Sequence, residues 1–166
     1  MAHLLFLTST PPSVAHGSGT WVGISVLRGA IEALGHEVTL IGRSPDSARE
    51  TTLSRVTFNI RARSRVRHMR PDALIGFDLD GVFVRTDALR VAAIKGVLAD
   101  EARYERGLSR WDLALQARLE ARNVRRADRV ITTSAYSLQR IVGFYGAEPA
   151  KISIVPEPID LTLWER

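Results

Sequence analysis

The chain has 166 residues, 45% of them hydrophobic and 25% charged, with a formal net charge of +5, proportions that suit one folded domain with a substantial core. It carries no cysteine, which excludes a disulfide framework and thiolate chemistry, and its four histidines show no metal-ligand spacing such as HExxH, so no metal site is expected. Nothing approaches the roughly 18 consecutive apolar residues of a membrane span, and the first apolar run lacks the basic flank of a secretory signal, so a cytoplasmic location is the expectation.

His3 to Thr8 is a continuous apolar run bounded by Ser9-Thr10-Pro11-Pro12, the pattern of a strand buried on both faces. After a loop, Thr20 caps a predicted helix from Trp21 to Leu34, with Val22, Val26, Ala30 and Ala33 as inward candidates and Gly35 as its stop. Glu37 to Ile41 is the next strand, which makes the opening a β-α-β unit with parallel pairing. Arg43 to Arg55 reads as loop or short helix, Val56 to Ile60 as a third strand, and Ser64 to Arg70 as a short helix. The arginines are densest here: Arg61, Arg63, Arg65, Arg67 and Arg70, with His68. They form either a solvated face or a contact for an anionic membrane surface, which would hold the protein peripherally at the inner membrane face. Nucleic acid is not an expected partner, because no aromatic interleaving or nucleic-acid motif accompanies them.

Pro71-Asp72 is turn chemistry before the strand Ala73 to Phe77, and Arg90 to Ile94 is another apolar run ending at Lys95-Gly96. Ser109 to Ala127 is predicted as an amphipathic helix carrying Trp111, Leu115 and Leu119 on one face, followed by the strand Arg129 to Thr133. Ser134 caps a helix to Tyr145 that Gly146 closes, and Ile152 to Val155 is a last strand. The fold class is therefore α/β, a single Rossmann-like domain with an open, mainly parallel sheet of six to seven strands and helices on both faces. Pro156-Glu157-Pro158 breaks the alternation as an interdomain linker does, giving a domain over 1–156 and the start of a linker over 157–166.

In such sheets ligands bind beyond the carboxyl ends of the strands, which restricts the candidates to the Ser9 to Gly19 loop, Arg43, Asp78 with Asp80, Lys95-Gly96, and Ser134 with Tyr136. Gly17-Ser18-Gly19 precedes a helix N-terminus, where free amides and the helix dipole suit a phosphate, although a turn needing positive φ explains the glycines equally well. Gly17, Gly19 and Gly23 also spell GxGxxxG, and Arg43 ends the second strand where a ribose phosphate binds, so an NADP-binding oxidoreductase domain stands as an alternative. Against it, a dinucleotide fingerprint follows the first strand tightly, and here a longer loop intervenes. Lys95 ends a strand in a chain almost free of lysine, and Gly96 lets a ligand approach; it reads as a cation for a phosphate or carboxylate, or as a strand-end charge paired with Asp78 or Asp100. Asp78 and Asp80 suit either hydroxyl recognition or a turn.

Several segments together resemble the N-terminal domain of family 4 retaining glycosyltransferases, which have two facing Rossmann-like domains. Ala127-Asp128-Arg129-Val130-Ile131-Thr132-Thr133-Ser134 is similar to the family's "ADRVITVS", Tyr145-Gly146 with Lys151-Ile152 to its "YG…KI", and Leu34-Gly35-His36-Glu37-Val38 to its "L…GHEV". Pro71-Asp72-Ala73-Leu74-Ile75 resembles "PDVVH", and Val155 to Asp160 stands where the family has "IPNGVD". The resemblance implies transfer of a sugar from a nucleotide-sugar donor to a sugar or lipid-linked acceptor with retention, without metal and without a resident cofactor, since the nucleotide-sugar is a substrate. It implies that a C-terminal domain of the same protein binds most of the donor, so that this chain alone is inactive. Gly17, Ser18 and Gly19 take the donor-phosphate role, Asp78, Asp80, Gly96, Ser134 and Tyr136 the acceptor side, and Glu157 the hinge. Many members have a histidine near the reacting sugar; Lys95 occupies that position here and is the catalytic candidate.

Overall fold

The computed structural model describes residues 1–12, 19–43 and 51–157. Its elements alternate as β1 (His3–Thr8), α1 (Gly19–Ala33), β2 (Glu37–Gly42), α2 (Thr52–Val66), β3 (Ala73–Phe77), β4 (Leu89–Ile94), α3 (Leu98–Glu101), α4 (Gly107–Arg126), β5 (Arg129–Thr132), α5 (Ala135–Tyr145) and β6 (Ile152–Ile154). The six strands form one sheet in the order β2-β1-β3-β4-β5-β6, and every pairing is parallel. From β1 the chain turns first towards β2 and then crosses over to β3, so strand order reverses between β1 and β3 and a crevice opens at their carboxyl ends.

The two faces of the sheet pack differently. Phe6, Ile75, Phe77 and Ala93 point to one face, where Ile24, Leu27 and Ile31 of α1 cover them and Phe6 meets Phe77 edge to face at 5.3 Å. Leu5, Leu7 and Leu74 point to the other face beneath Phe58, Ala62 and Val66 of α2. Farther along that face Ala92, Ile94 and Val130 lie under α4 and α5. Helices thus lie on both faces, as expected.

Three sequence expectations are corrected. Val56 to Ile60 is not a strand but the middle of α2, whose buried residues Thr52, Arg55, Phe58, Asn59, Ala62 and Val66 follow helical spacing. Thr51 and Ser54 close a reciprocal capping box at its start, which commits the segment to helix despite the strand-like alternation of Val56, Phe58 and Ile60. On α1 the inward residues are Gly23, Ile24, Leu27 and Ile31, while Val22, Ala30 and Ala33 are exposed. On α4 two of the three expected inward residues, Trp111 and Leu115, are exposed while Leu119 packs against the core, and the helix buries Gln116, Ala117, Glu120, Ala121, Asn123 and Val124. The segment between β3 and β4 explains the burial of Asn123. After β3 the chain turns sharply, with Asp78 at φ +53 and Gly81 at φ +91, and exposes carbonyls inside the fold. Asn123 Nδ2 donates to two of them, Asp78 O at 2.8 Å and Asp80 O at 3.1 Å, which an apolar side chain would leave unsatisfied.

A buried polar network ties these turns to β1. Asp80, fully buried, accepts from Ser9 N (2.5 Å), Ser9 Oγ (2.8 Å) and Asn59 Nδ2 (2.8 Å). Arg55 donates from Nε to Ser9 Oγ (3.1 Å) and from Nη1 to Gln116 Oε1 (3.0 Å), and its Nη2 lies 3.7 Å from Asp78 Oδ2. Gly76 permits the turn to fold back, because a Cβ there would lie 1.9 Å from Asp80 O. Behind it, Glu120 Oε2 accepts from the Leu98 amide (3.1 Å) and the Tyr145 hydroxyl, while Oε1 has no partner among the described residues. Burial, aided by the charge of Asp78, pushes the Glu120 carboxyl up to about 8.

Asp80→Ala should destabilise the fold by about 3–5 kcal/mol in denaturant unfolding, because it strands the donors of Ser9 and Asn59 beside a buried guanidinium. Gly76→Ala should cost about 1–3 kcal/mol by displacing the Asp80 carbonyl. Glu120 gives a pH signature. The folded chain keeps a proton to about pH 8 that the unfolded chain releases near 4.5, so this carboxyl's contribution falls as pH rises through that window. Between pH 6 and 9 the melting temperature should decline, and Glu120→Gln, which retains an acceptor for Leu98, should flatten that decline.

Candidate functional site

The carboxyl edge of the sheet gathers side chains that are far apart in sequence. Lys95, at the end of β4, is 14% exposed, and its Nζ makes a short hydrogen-bonded ion pair with Glu157 Oε1. Glu157 lies beyond β6 and is 43% exposed, so the pair forms at the mouth of the crevice. Gly23 in the second turn of α1 faces the same pair: a Cβ on it would lie 2.2 Å from Glu157 Oε2 and 2.6 Å from Lys95 Nζ. Its lack of a side chain is what lets α1 approach. Asp78, just past β3, turns its Oδ1 to accept from the Lys95 backbone amide at 3.2 Å. Desolvation is the main influence on the Asp78 carboxyl and raises it above the ordinary carboxylate range, with Arg55 and Lys95 pulling against it.

Helix α1 points its N-terminus into this edge. Gly19 begins the helix one turn, ~6 Å along the axis, before Gly23. Its first amides have no partner within the helix, and no acidic residue in the first turn neutralises the dipole. The end of α1 is therefore a place for an anion, close to the ammonium of Lys95. Gly17 and Ser18 lie outside the described residues.

The remaining candidates separate into distinct surroundings. Asp80 is turned into the fold, with both carboxylate oxygens engaged by Ser9 and Asn59, and burial raises it to about 6. Gly96 follows Lys95, and a Cβ there would lie 2.2 Å from Glu101 Oε1. Ser134 caps α5, accepting from the Ser137 amide at 3.1 Å. Tyr136 is half exposed and donates to Asp100 Oδ2 at 2.5 Å, with Arg140 stacked 4.7 Å over its ring. The Tyr136 hydroxyl, with Arg140 and Arg103 also in contact with Asp100, holds its carboxyl below the ordinary range.

Next to the crevice, an open groove of about 570 Å³ runs between the N-terminal ends of α2 and α4, lined by Arg55, Glu101, Ser109, Asp112 and Gln116 among others. Its polar walls present carboxylate and amide acceptors beside one guanidinium, a set suited to hydroxyl groups. Burial and the charge of Asp78 raise the Glu101 carboxyl. Arg55, Asn59, Gln116 and Glu120 were not legible as site residues in the sequence. Their signal was present as polar residues at helical spacing on the buried stripes of α2 and α4, hidden by the strand-like and apolar patterns beside them. Among the described residues no group of acidic or histidine side chains is arranged to hold a metal ion, and no helix is long and apolar enough to cross a membrane.

Comparison with known proteins follows the same lines. Among solved structures, sucrose-phosphate synthase from Thermosynechococcus elongatus superposes with a TM-score of 0.76 and 10% identity, over 98% of this chain and 50% of that one. The chain thus spans about half the length of that structure, and the similarity establishes a shared fold. A transcriptional regulator, CelR, in complex with cellobiose aligns over 93% of this chain and 66% of its own at 9% identity, with a TM-score of 0.34 that carries no argument. No curated protein sequence matches significantly. The sequence model of Glycosyltransferase Family 4 matches residues 17–163, nearly the whole chain, and the doubly wound sheet is the one such a match requires; the protein belongs to Glycosyltransferase Family 4.

Proposed function

We propose that this chain is the acceptor-side wall of a retaining glycosyltransferase cleft, with a second domain of the same protein supplying most of the nucleotide-sugar site. The observation that carries the reading is the convergence of the α1 N-terminus, Lys95, Glu157 and Asp78 at the carboxyl edge, in a chain that belongs to this family. In glycosyl transfer from a nucleotide-sugar the bond from the anomeric carbon to the diphosphate breaks, and negative charge grows on the leaving phosphate. The positive end of the α1 dipole, at Gly19, and the ammonium of Lys95 stabilise that charge. Glu157 holds Lys95 in place before the donor arrives and keeps its charge neutralised; the incoming phosphate then competes for it.

The acceptor enters from the α2–α4 groove, where Glu101, Asp112 and Gln116 offer acceptors for its hydroxyls. Asp80 supports this wall from within, and Tyr136 of α5 donates to Asp100, the neighbour of Glu101 in the wall. The oxidoreductase alternative receives no support from the family match or the fold comparison. A flat membrane-binding face built from Arg61 to Arg70 is not part of this proposal, because α2 turns Arg63 about 200° away from Arg61, and Arg67 and Arg70 lie beyond its last turn.

Titration of the chain alone with UDP-, GDP- and ADP-sugars should show negligible heat, whereas tight binding would remove the division of labour between two domains. In the two-domain protein, Lys95→Met should lower kcat/KM about 10²–10³-fold at unchanged thermal stability, with partial recovery in Lys95→Arg. Unaltered turnover in Lys95→Met would assign the phosphate role elsewhere.

A further inference from the structure

At the opposite end of the sheet from the crevice lies a second cavity of about 580 Å³, between the C-terminal end of α2, the segment leading into β4 and the C-terminal end of α4. Five arginines line it: Arg67, Arg70, Arg85, Arg90 and Arg126. Asp72 and Asp87 are the acidic residues of the lining, so three positive charges are in surplus. Asp72 also has an oxygen committed, accepting from the His3 amide at 2.7 Å. The negative ends of α2 and α4 each offset about half a charge, and Asp128 beside Arg90 offsets about one more, which leaves a surplus of about one.

The inner wall is built rather than fortuitous. Arg90 is nine-tenths buried; its Nη1 donates to Val84 O at 2.7 Å and its Nη2 to Gly81 O at 3.0 Å. Arg126 donates from Nη1 to Val82 O at 2.9 Å, so carbonyls of one turn hold both guanidiniums side by side. Each depends on neutral dipoles for its hydrogen bonds, and the two repel. Arg90 Nε is buried and has no acceptor among the described residues. Arg67, Arg70 and Arg85 are exposed and form no ion pair among the described residues. A cavity with a buried guanidinium and an exposed one held side by side by carbonyls, an unmet N–H and three further exposed guanidiniums at its rim is complementary to a multiply charged oxyanion, which arginine binds through paired N–H donors.

We propose that this cavity is a phosphate-binding site, separate from the crevice, that takes a terminal phosphate, a phosphomonoester or inorganic pyrophosphate, and not the doubly esterified diphosphate of a nucleotide-sugar, whose phosphates carry one charge each. The group arrives either on a free solute or as the headgroup of an anionic lipid. Calorimetric titration of the 166-residue chain with pyrophosphate at low ionic strength tests the site. The expected result is one saturable site with a dissociation constant below about 1 mM. Arg70→Ala/Arg85→Ala, both exposed positions, should weaken it at least tenfold with an unchanged circular dichroism spectrum, and Lys95→Met should leave it unaltered. Flotation with vesicles containing phosphatidate separates the sources. Binding that pyrophosphate competes away and the double variant loses assigns the site to a headgroup; pyrophosphate binding without flotation assigns it to a soluble phosphate. Absence of saturable binding, binding indifferent to Arg70→Ala/Arg85→Ala, or binding lost in Lys95→Met would overturn the proposal.

Discussion

Parallel strands stop short of one another's ends, and where their order reverses the connecting chains diverge and leave a gap. In this protein that gap is held by one carboxylate. Asp80 accepts from the backbone and side chain of Ser9 after β1 and from Asn59 of α2, while Arg55 spans from Ser9 to Gln116 of α4. Two strands and two helices are thereby fixed relative to one another through a few hydrogen bonds in a region of low dielectric, where each is strong and each unmet partner is costly. The site above inherits its geometry from this network.

The demand reaches outward from Asp80 in a chain of satisfied groups. The turn that brings Asp80 inward exposes carbonyls, and Asn123 donates to two of them. The same turn places Asp78 so that it reads the Lys95 amide. Lys95 then emerges at the crevice with its ammonium held by Glu157 and its flank left open by Gly23. Lys95 is thus positioned through hydrogen bonds and an ion pair rather than through apolar packing.

The strands were readable because both faces of a parallel sheet are covered, so each strand appears as an uninterrupted apolar run; His3 to Thr8 and Ala73 to Phe77 are such runs. The caps were readable for a local reason as well. Ser134 and Gly146 satisfy the ends of α5 through backbone geometry within a few residues, with Gly146 at φ +65. Helix α2 was misread because Val56, Phe58 and Ile60 alternate, although Ile60 points to solvent and Arg55 and Asn59 point inward. Helix α4 was misread for the converse reason: Trp111 and Leu115 of its expected inward face are exposed.

By itself the sequence determined the alternation of strands and helices, the parallel sheet, the family resemblance and the carboxyl ends of the strands, because these depend on periodicity, capping and short motifs. Tertiary structure decided which polar residues are buried, that Asp80 works inward while Asp78 faces Lys95, and that Gly23, Lys95 and Glu157 meet. It also gathered five arginines from β4, α4 and the segments after α2 and before β4 into one cavity. The physical reason is common to all of these: each rests on a hydrogen bond, an ion pair or a close approach between segments tens of residues apart, and no local pattern encodes which buried donor will find which acceptor.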